Sequence, residues 1–270
     1  MNRIAKKFAD LKDSGRKGFI PFVTAGDPDL STSLLIVDAL AREGADIIEL
    51  GIPFSDPMAD GPTIQASSQR ALAHGIKMSD VLELIRKFRH TSDVPIVLFG
   101  YLNPILQYGV ERFRDDSADA GVDGVLITDV VDREAAQVSQ ILAEKDIDLI
   151  SLVAPTTSDE RLAKITGQAR GFVYAVSRAG VTGAQADLSA SARNLVERVR
   201  TFTDLPVAVG FGISTAGQVE SVWKYADAAV VGSAIVAEIG RAVNTDDAAN
   251  RVKTFVRGLV PQVAKTPGGI

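Results

Sequence analysis

A chain of 270 residues with 46% hydrophobic and 23% charged residues can bury one large core, either as a barrel or as two smaller domains. Its formal net charge of -5 argues against general affinity for nucleic acid or an anionic membrane surface, and no basic run supplies a local exception. The absence of cysteine removes disulfides, thiolate metal sites and cysteine nucleophiles together. Residues 1–14 carry mixed charges without an apolar core, and no apolar segment approaches the roughly 18 residues needed to cross a bilayer, which predicts a cytoplasmic protein.

Ile4, Phe8 and Leu11 fall at helical spacing, so residues 1–16 are expected to hold a short amphipathic helix capping one end of the fold. From Gly18 onward a unit recurs: a short apolar run, a polar or glycine-containing loop, an amphipathic helical stretch, then Gly or Pro before the next run. The runs at 19–24, 46–50, 96–99, 124–127, 149–153, 172–176, 207–210 and 228–231 predict eight strands, each followed by room for a helical crossover. Gly44-Ala45-Asp46, Gly121-Val122-Asp123 and Tyr225-Ala226-Asp227 repeat one helix-to-strand turn, and Asp93-Val94-Pro95 and Asp204-Leu205-Pro206 make another. The stretch 63–89 is longer than one helix requires and is broken by Gly75, predicting two helices; 246–260 reads as the last helix, with 262–270 fraying after Pro261. No Pro/Ser-rich linker divides the chain, so the expected fold is α/β: a single (β/α)8 TIM barrel domain over 1–270, with extra helices at the N-terminus, in the crossover after the second strand and near the eighth. An open doubly wound sheet is the rival architecture.

Within this pattern, Ile47-Ile48-Glu49-Leu50 ends an apolar strand on a carboxylate, which is costly to bury unless something pairs with it or uses it. The following loop holds Asp56 and Asp60 and is punctuated by Pro53, Pro57, Gly61 and Pro62. In a barrel, function collects on the loops after the strands, so Glu49 and Asp60 would face one mouth and could divide acid and base work. The plain alternatives are that Glu49 pairs with a cation inside the barrel and that Asp60 caps the helix starting near Thr63. Glycines cluster after the last three strands, in Gly180-Val181-Thr182-Gly183, Gly210-Phe211-Gly212-Ile213-Ser214 and Val231-Gly232-Ser233-Ala234, where a phosphate can approach backbone N–H groups and a helix N-terminus. Phe22, Phe99, Tyr101, Leu126, Tyr174 and Phe211 stand at strand ends, where each is either barrel filling or part of a pocket for a flat apolar group. The two histidines, His74 and His90, sit in helical stretches, no lysine ends a strand, and no Walker or dinucleotide-binding loop is present, which leaves metal-free, cofactor-free acid/base chemistry. The expected ligand is aromatic at one end and phosphorylated at the other.

The run Glu49-Leu50-Gly51-Ile52-Pro53-Phe54-Ser55-Asp56-Pro57-Met58-Ala59-Asp60-Gly61-Pro62-Thr63-Ile64-Gln65 resembles the signature of the tryptophan synthase α-subunit family almost residue for residue. Phe22-Val23-Thr24-Ala25-Gly26-Asp27-Pro28, Tyr101-Leu102-Asn103-Pro104, Gly180-Val181-Thr182-Gly183 and Gly210-Phe211-Gly212-Ile213-Ser214 match in the same order. The resemblance implies a lyase that cleaves indole-3-glycerol phosphate to indole and glyceraldehyde 3-phosphate. It implies Glu49 as the acid/base serving indole C3 and the side-chain hydroxyl, Asp60 as the group binding the indole N–H, and Tyr174 as the residue orienting Glu49. Phe22, Phe99, Leu126 and Phe211 would wall the indole; Gly183, Gly212, Gly232 and Ser233 would hold the phosphate. It further implies an αββα complex whose β subunit alone carries pyridoxal phosphate, with Asp56, Pro57, Asn103 and Pro104 at the interface and 177–188, including Thr182, as a lid. One departure is Asp129-Val130-Val131, where the family usually has Pro at the position of Val131, which bears on coupling to the β subunit. Other readings are a different phosphate-binding barrel enzyme, such as a sugar-phosphate isomerase, or a non-catalytic barrel that regulates a β-type partner.

Overall fold

Ile4, Phe8 and Leu11 are all buried along one face of α1 (Arg3–Asp13), whose first turn is capped by the Asn2 side chain accepting from the Ile4 N–H. The computed structural model describes residues 2–176, 185–210 (side chains from 190) and 212–260. After α1 come β1 (Gly18–Thr24), α2 (Leu30–Arg42), β2 (Ile48–Gly51), α3 (Pro62–Ala73), α4 (Met78–Arg89), β3 (Ile96–Gly100), α5 (Leu102–Tyr108), α6 (Val110–Ala120), β4 (Gly124–Ile127) and α7 (Asp132–Ala143). The second half holds β5 (Asp148–Leu149), β6 (Ser151–Val153), α8 (Asp159–Thr166), β7 (Val173–Val176), α9 (Gln185–Arg200), β8 (Val207–Gly210), α10 (Ala216–Trp223), β9 (Ala228–Val231), α11 (Ser233–Gly240) and α12 (Thr245–Leu259).

All strand pairs are parallel, in the order β5-β4-β3-β2-β1-β9-β8-β7-β6. The two end strands are consecutive in the chain, separated only by Ile150, so the backbone itself closes the ring into the expected (β/α)8 barrel. The run expected as one strand at 149–153 is divided because its two parts serve different neighbours: β5 pairs with β4, and β6 with β7. The two helices expected between 63 and 89 are α3 and α4, with Gly75 between them at φ +71, a conformation that favours glycine. One helix was not anticipated: α5 follows β3 directly, because Pro104 is tolerated in a first helical turn and Gly109, at φ +92, ends it. The expected tail at 262–270 lies outside the described residues.

Alternation along each strand makes two cores. Ile20, Ile47, Val97, Leu126, Phe172 and Ala208 fill the barrel interior, while Phe19, Val23, Leu50, Leu98 and Val125 face the surrounding helices. The repeated helix-to-strand turns are explained by their aspartates. Asp46 accepts from the Phe19 N–H at 3.0 Å, Asp123 from the Ile96 N–H at 2.8 Å and Asp227 from the Val207 N–H at 3.0 Å, each fastening one strand to the start of the next. Beneath them α1 plugs the floor, with Phe8 against Phe172 at 5.6 Å between ring centroids and Arg3 paired to Asp123 at 3.0 Å.

Candidate active site

Glu49 lies two residues after the inward-facing Ile47, in register with Phe22 on β1 and Val97 on β3. It is only 1% exposed, and its Oε1 has no hydrogen-bond partner among the described residues. No cation pairs with it there either, so the cation-pair alternative has no support. Burial alone pushes its pKa from 4.5 up to about 8, which keeps the carboxyl protonated at neutral pH.

Asp60 stands above it on the loop from β2 to α3. The capping alternative also lacks support: Gly61 occupies the N-cap of α3, no side chain caps that end, and Pro62 opens the helix. Half-buried, Asp60 has its pKa pushed by burial up to about 6, with the Tyr101 hydroxyl acting in the opposite direction. It therefore remains largely ionised at neutral pH. The loop is braced on both sides, since the Ala59 N–H donates to the Tyr101 hydroxyl at 3.0 Å and Gln65 Nε2 donates to the Asp60 carbonyl at 2.9 Å. The helix behind it is seated by Thr24 on Ser67 at 2.6 Å and by the two-pronged Arg70–Asp27 pair at 2.7 and 2.8 Å.

Tyr174, on β7, is buried in the same interior cluster as Leu126 and Phe99. Its pKa rises well above 10.0, first through burial and then through the Glu49 charge, which places the two side chains within electrostatic reach. No hydrogen bond joins them. Phe22 and Phe99 meet edge to face at 5.3 Å, and Gly51 makes room for the Phe22 ring, whose Cζ would lie 2.7 Å from a β-carbon there. Ile64 of α3 and Val236 of α11 pack on this aromatic pair, so the helix after Asp60 and the helix after Gly232 meet over one apolar patch.

Gly232 is the N-cap of α11 and no side-chain cap is present, so no capping side chain occupies the first N–H groups of the Ser233 turn. Gly212 sits at φ +77 with open space beside it. Thr182, Gly183, Phe211 and the expected lid at 177–188, save the backbone from 185 onward, lie outside the described residues. The residues expected at a partner interface lie on one rim. Asp56 and Asn103 are exposed, Pro57 and Pro104 are half-buried, and Met58 beside them is 93% exposed. Val131 is exposed at the N-cap of α7.

Two rim residues make contacts that the sequence did not reveal. The Tyr101 hydroxyl ties the Asp60 loop to the end of β3, and Asp129 accepts from the Leu102 N–H at 2.8 Å, capping α5 from the next loop. A tyrosine rather than phenylalanine at position 101 was the available signal for this brace; Asp129 drew notice only for the missing proline two residues on, which carries no sign of a capping role. His74 and His90 follow the ends of α3 and α4 and are both exposed. Among the described residues no cluster of three His, Cys, Asp or Glu side chains could hold a metal ion, and no helix is long and apolar enough to cross a membrane.

Comparison with known proteins agrees with this geometry. The sequence pattern of the family described as Tryptophan synthase alpha chain matches residues 8–263. A tryptophan synthase alpha chain of Caldanaerobacter subterraneus subsp. tengcongensis is 49% identical over 259 residues, covering 96% of this chain and 98% of the relative. The crystal structure of the tryptophan synthase alpha chain from Legionella pneumophila superposes with a TM-score of 0.88 at 37% identity, covering 96% of each chain. A chain of tryptophan synthase from M. tuberculosis in its aminoacrylate-bound form gives 0.86 at 34% identity, covering 96% of this chain and 98% of that one.

Proposed function

Because the chain belongs to the tryptophan synthase alpha chain family, a lyase cleaving indole-3-glycerol phosphate to indole and glyceraldehyde 3-phosphate, we propose that Glu49 and Asp60 carry the reaction between them. The observation that carries this reading is a buried carboxyl, without a cation, whose pKa of about 8 keeps its proton in the barrel mouth at neutral pH. The bond from indole C3 to the side chain cannot break until C3 accepts a proton. Glu49 donates that proton. Positive charge then develops across C2 and N1, and the ionised Asp60 stabilises it through the indole N–H. As the C3 bond to the side chain breaks, its electrons restore the aromatic ring. The side-chain hydroxyl becomes the aldehyde and returns a proton to the Glu49 carboxylate, so the acid is regenerated.

The ring is assigned to the space walled by Phe22, Phe99, Leu126 and Phe211, with Tyr174 limiting where Glu49 can turn. The phosphate is assigned to Gly183, Gly212, Gly232 and Ser233, where the uncapped start of α11 offers N–H groups and a positive dipole. Thr182 and the 177–188 loop are assigned as the lid on family resemblance. Beyond the substrate, the chain's partner is the tryptophan synthase β subunit. We place that contact, in an αββα complex, at Asp56, Pro57, Asn103 and Pro104. Pyridoxal phosphate is assigned to the β subunit alone, since its aldehyde requires a lysine and none stands at the carboxyl end of a described strand. The cytoplasm is the assigned compartment. The direct test is indole release from indole-3-glycerol phosphate by wild type and Glu49→Gln. A loss of about 10²-fold or more supports the assignment, and equal rates overturn it.

A further inference from the structure

Where the barrel closes, its sheet parts on the mouth side. Strand pairing between β4 and β5 ends at Val125 and Leu149, with one more contact from the Ile150 N–H to the Val125 carbonyl at 2.8 Å. Ile127 and Ser151, which this register would bring opposite each other, are not paired, and with Leu152 they line a cavity of about 160 Å³ between the barrel wall, α7 and α8. A void of roughly 150 Å³ holds one benzene ring. Its lining joins the apolar side chains of Ala135 and Ile165 to the polar Asp132, Thr157 and Arg161.

Around Asp132 cations outnumber the anion. Asp132 is held by Lys164 at 3.2 Å, while Arg161 stands 3.7 Å from the same carboxylate, beyond hydrogen-bond distance, so two cations share one anion. The Thr157 hydroxyl accepts from the Ala154 N–H at 3.0 Å and keeps its proton for another acceptor. Asp132 also adopts φ +49, a left-handed conformation that a residue other than glycine holds at a cost and that tends to occur at ligand clamps. From these observations we infer that the seam is a second small-molecule site, taking a monocyclic carboxylate whose ring enters between α7 and α8 and whose anion meets Arg161. Leu152 is shared between this cavity and the interior cluster containing Tyr174 and Leu126, so an occupant would press on the wall of the catalytic pocket.

Benzoate is the probe, with benzyl alcohol as its neutral counterpart, titrated into the full chain while methyl signals are followed by NMR. Saturable shifts are expected at Ile127, Ala135, Leu152 and Ile165, with a Kd on the order of millimolar, as for other ligands of this size. Arg161→Gln should weaken benzoate binding about fivefold without changing that for benzyl alcohol, and Ala135→Leu should fill the space and abolish both. Because Arg161 is half-exposed, its variant retains the fold if Ala135→Leu does not. Shifts confined to Ile64 and Val236 in the catalytic mouth, unchanged benzoate affinity in Arg161→Gln, or no saturable shift at all would overturn the inference.

Discussion

The Tyr174 hydroxyl oxygen occupies a point 2.1 Å from where a β-carbon on Gly210 would stand. The neighbouring strands therefore share one volume, and only a glycine at the end of β8 leaves room for the phenol. Gly210→Ala is expected to displace Tyr174, cost about 1–3 kcal/mol through overpacking and sharply lower indole release. Combining it with Tyr174→Val should recover much of the lost thermal stability. Thermal denaturation of the two single variants and the double variant checks the relationship, and additive losses would refute it.

Glu49 must be protonated and Asp60 ionised at the start of the reaction, which fixes the shape of the pH dependence. With pKa values of about 8 for Glu49 and about 6 for Asp60, kcat/KM of the free protein should rise through pH 6 and fall through pH 8. In Glu49→Asp, any residual activity should keep the acid limb and shift the alkaline one. A profile that keeps rising above pH 9 would remove Glu49 as the proton donor.

Stability should carry the same signature with a definite sign. The folded pKa of Glu49, about 8, exceeds the ordinary 4.5, so between those values the folded state holds a proton that the unfolded state has lost. Wild type therefore loses stability as pH rises through this window, and Glu49→Gln does not. The Tm advantage of Glu49→Gln should grow from pH 4.5 to 8 and level off above it. A difference independent of pH would show that Glu49 is not held neutral by burial.

Tyr101→Phe removes the acceptor of the Ala59 N–H and the hydroxyl that lowers the Asp60 pKa. The acid limb of the pH profile should move upward and KM should rise, while the alkaline limb stays in place. The stability cost should be about 1 kcal/mol, the net value of one hydrogen bond. Calorimetry and the pH profile separate these effects, and an unmoved acid limb would assign Tyr101 a purely structural role.

The barrel was legible because eight apolar runs recur with helical spacing between them, and because Asp46, Asp123 and Asp227 mark the turns that they also fasten. Glu49 was legible because a carboxylate in an apolar strand conflicts with its surroundings. The division of the fifth strand was not, since Ile150 reads like any buried strand residue and its pairing depends on neighbours far away in sequence. Nor was α5, whose single short helix around Pro104 has no periodic signal. Thr182, Gly183 and Phe211 lie outside the described residues.

The three aspartate clasps at the barrel floor all bind backbone, and backbone N–H groups do not change when side chains are exchanged. Each clasp therefore survives substitution of the residue it holds, proline excepted, and the mouth contributes nothing to any of them. A lineage could exchange whole loops above the strands, and with them its substrate, while inheriting the same foundation. Substrate choice would then be selected at one end of each strand while these clasps stay unchanged at the other.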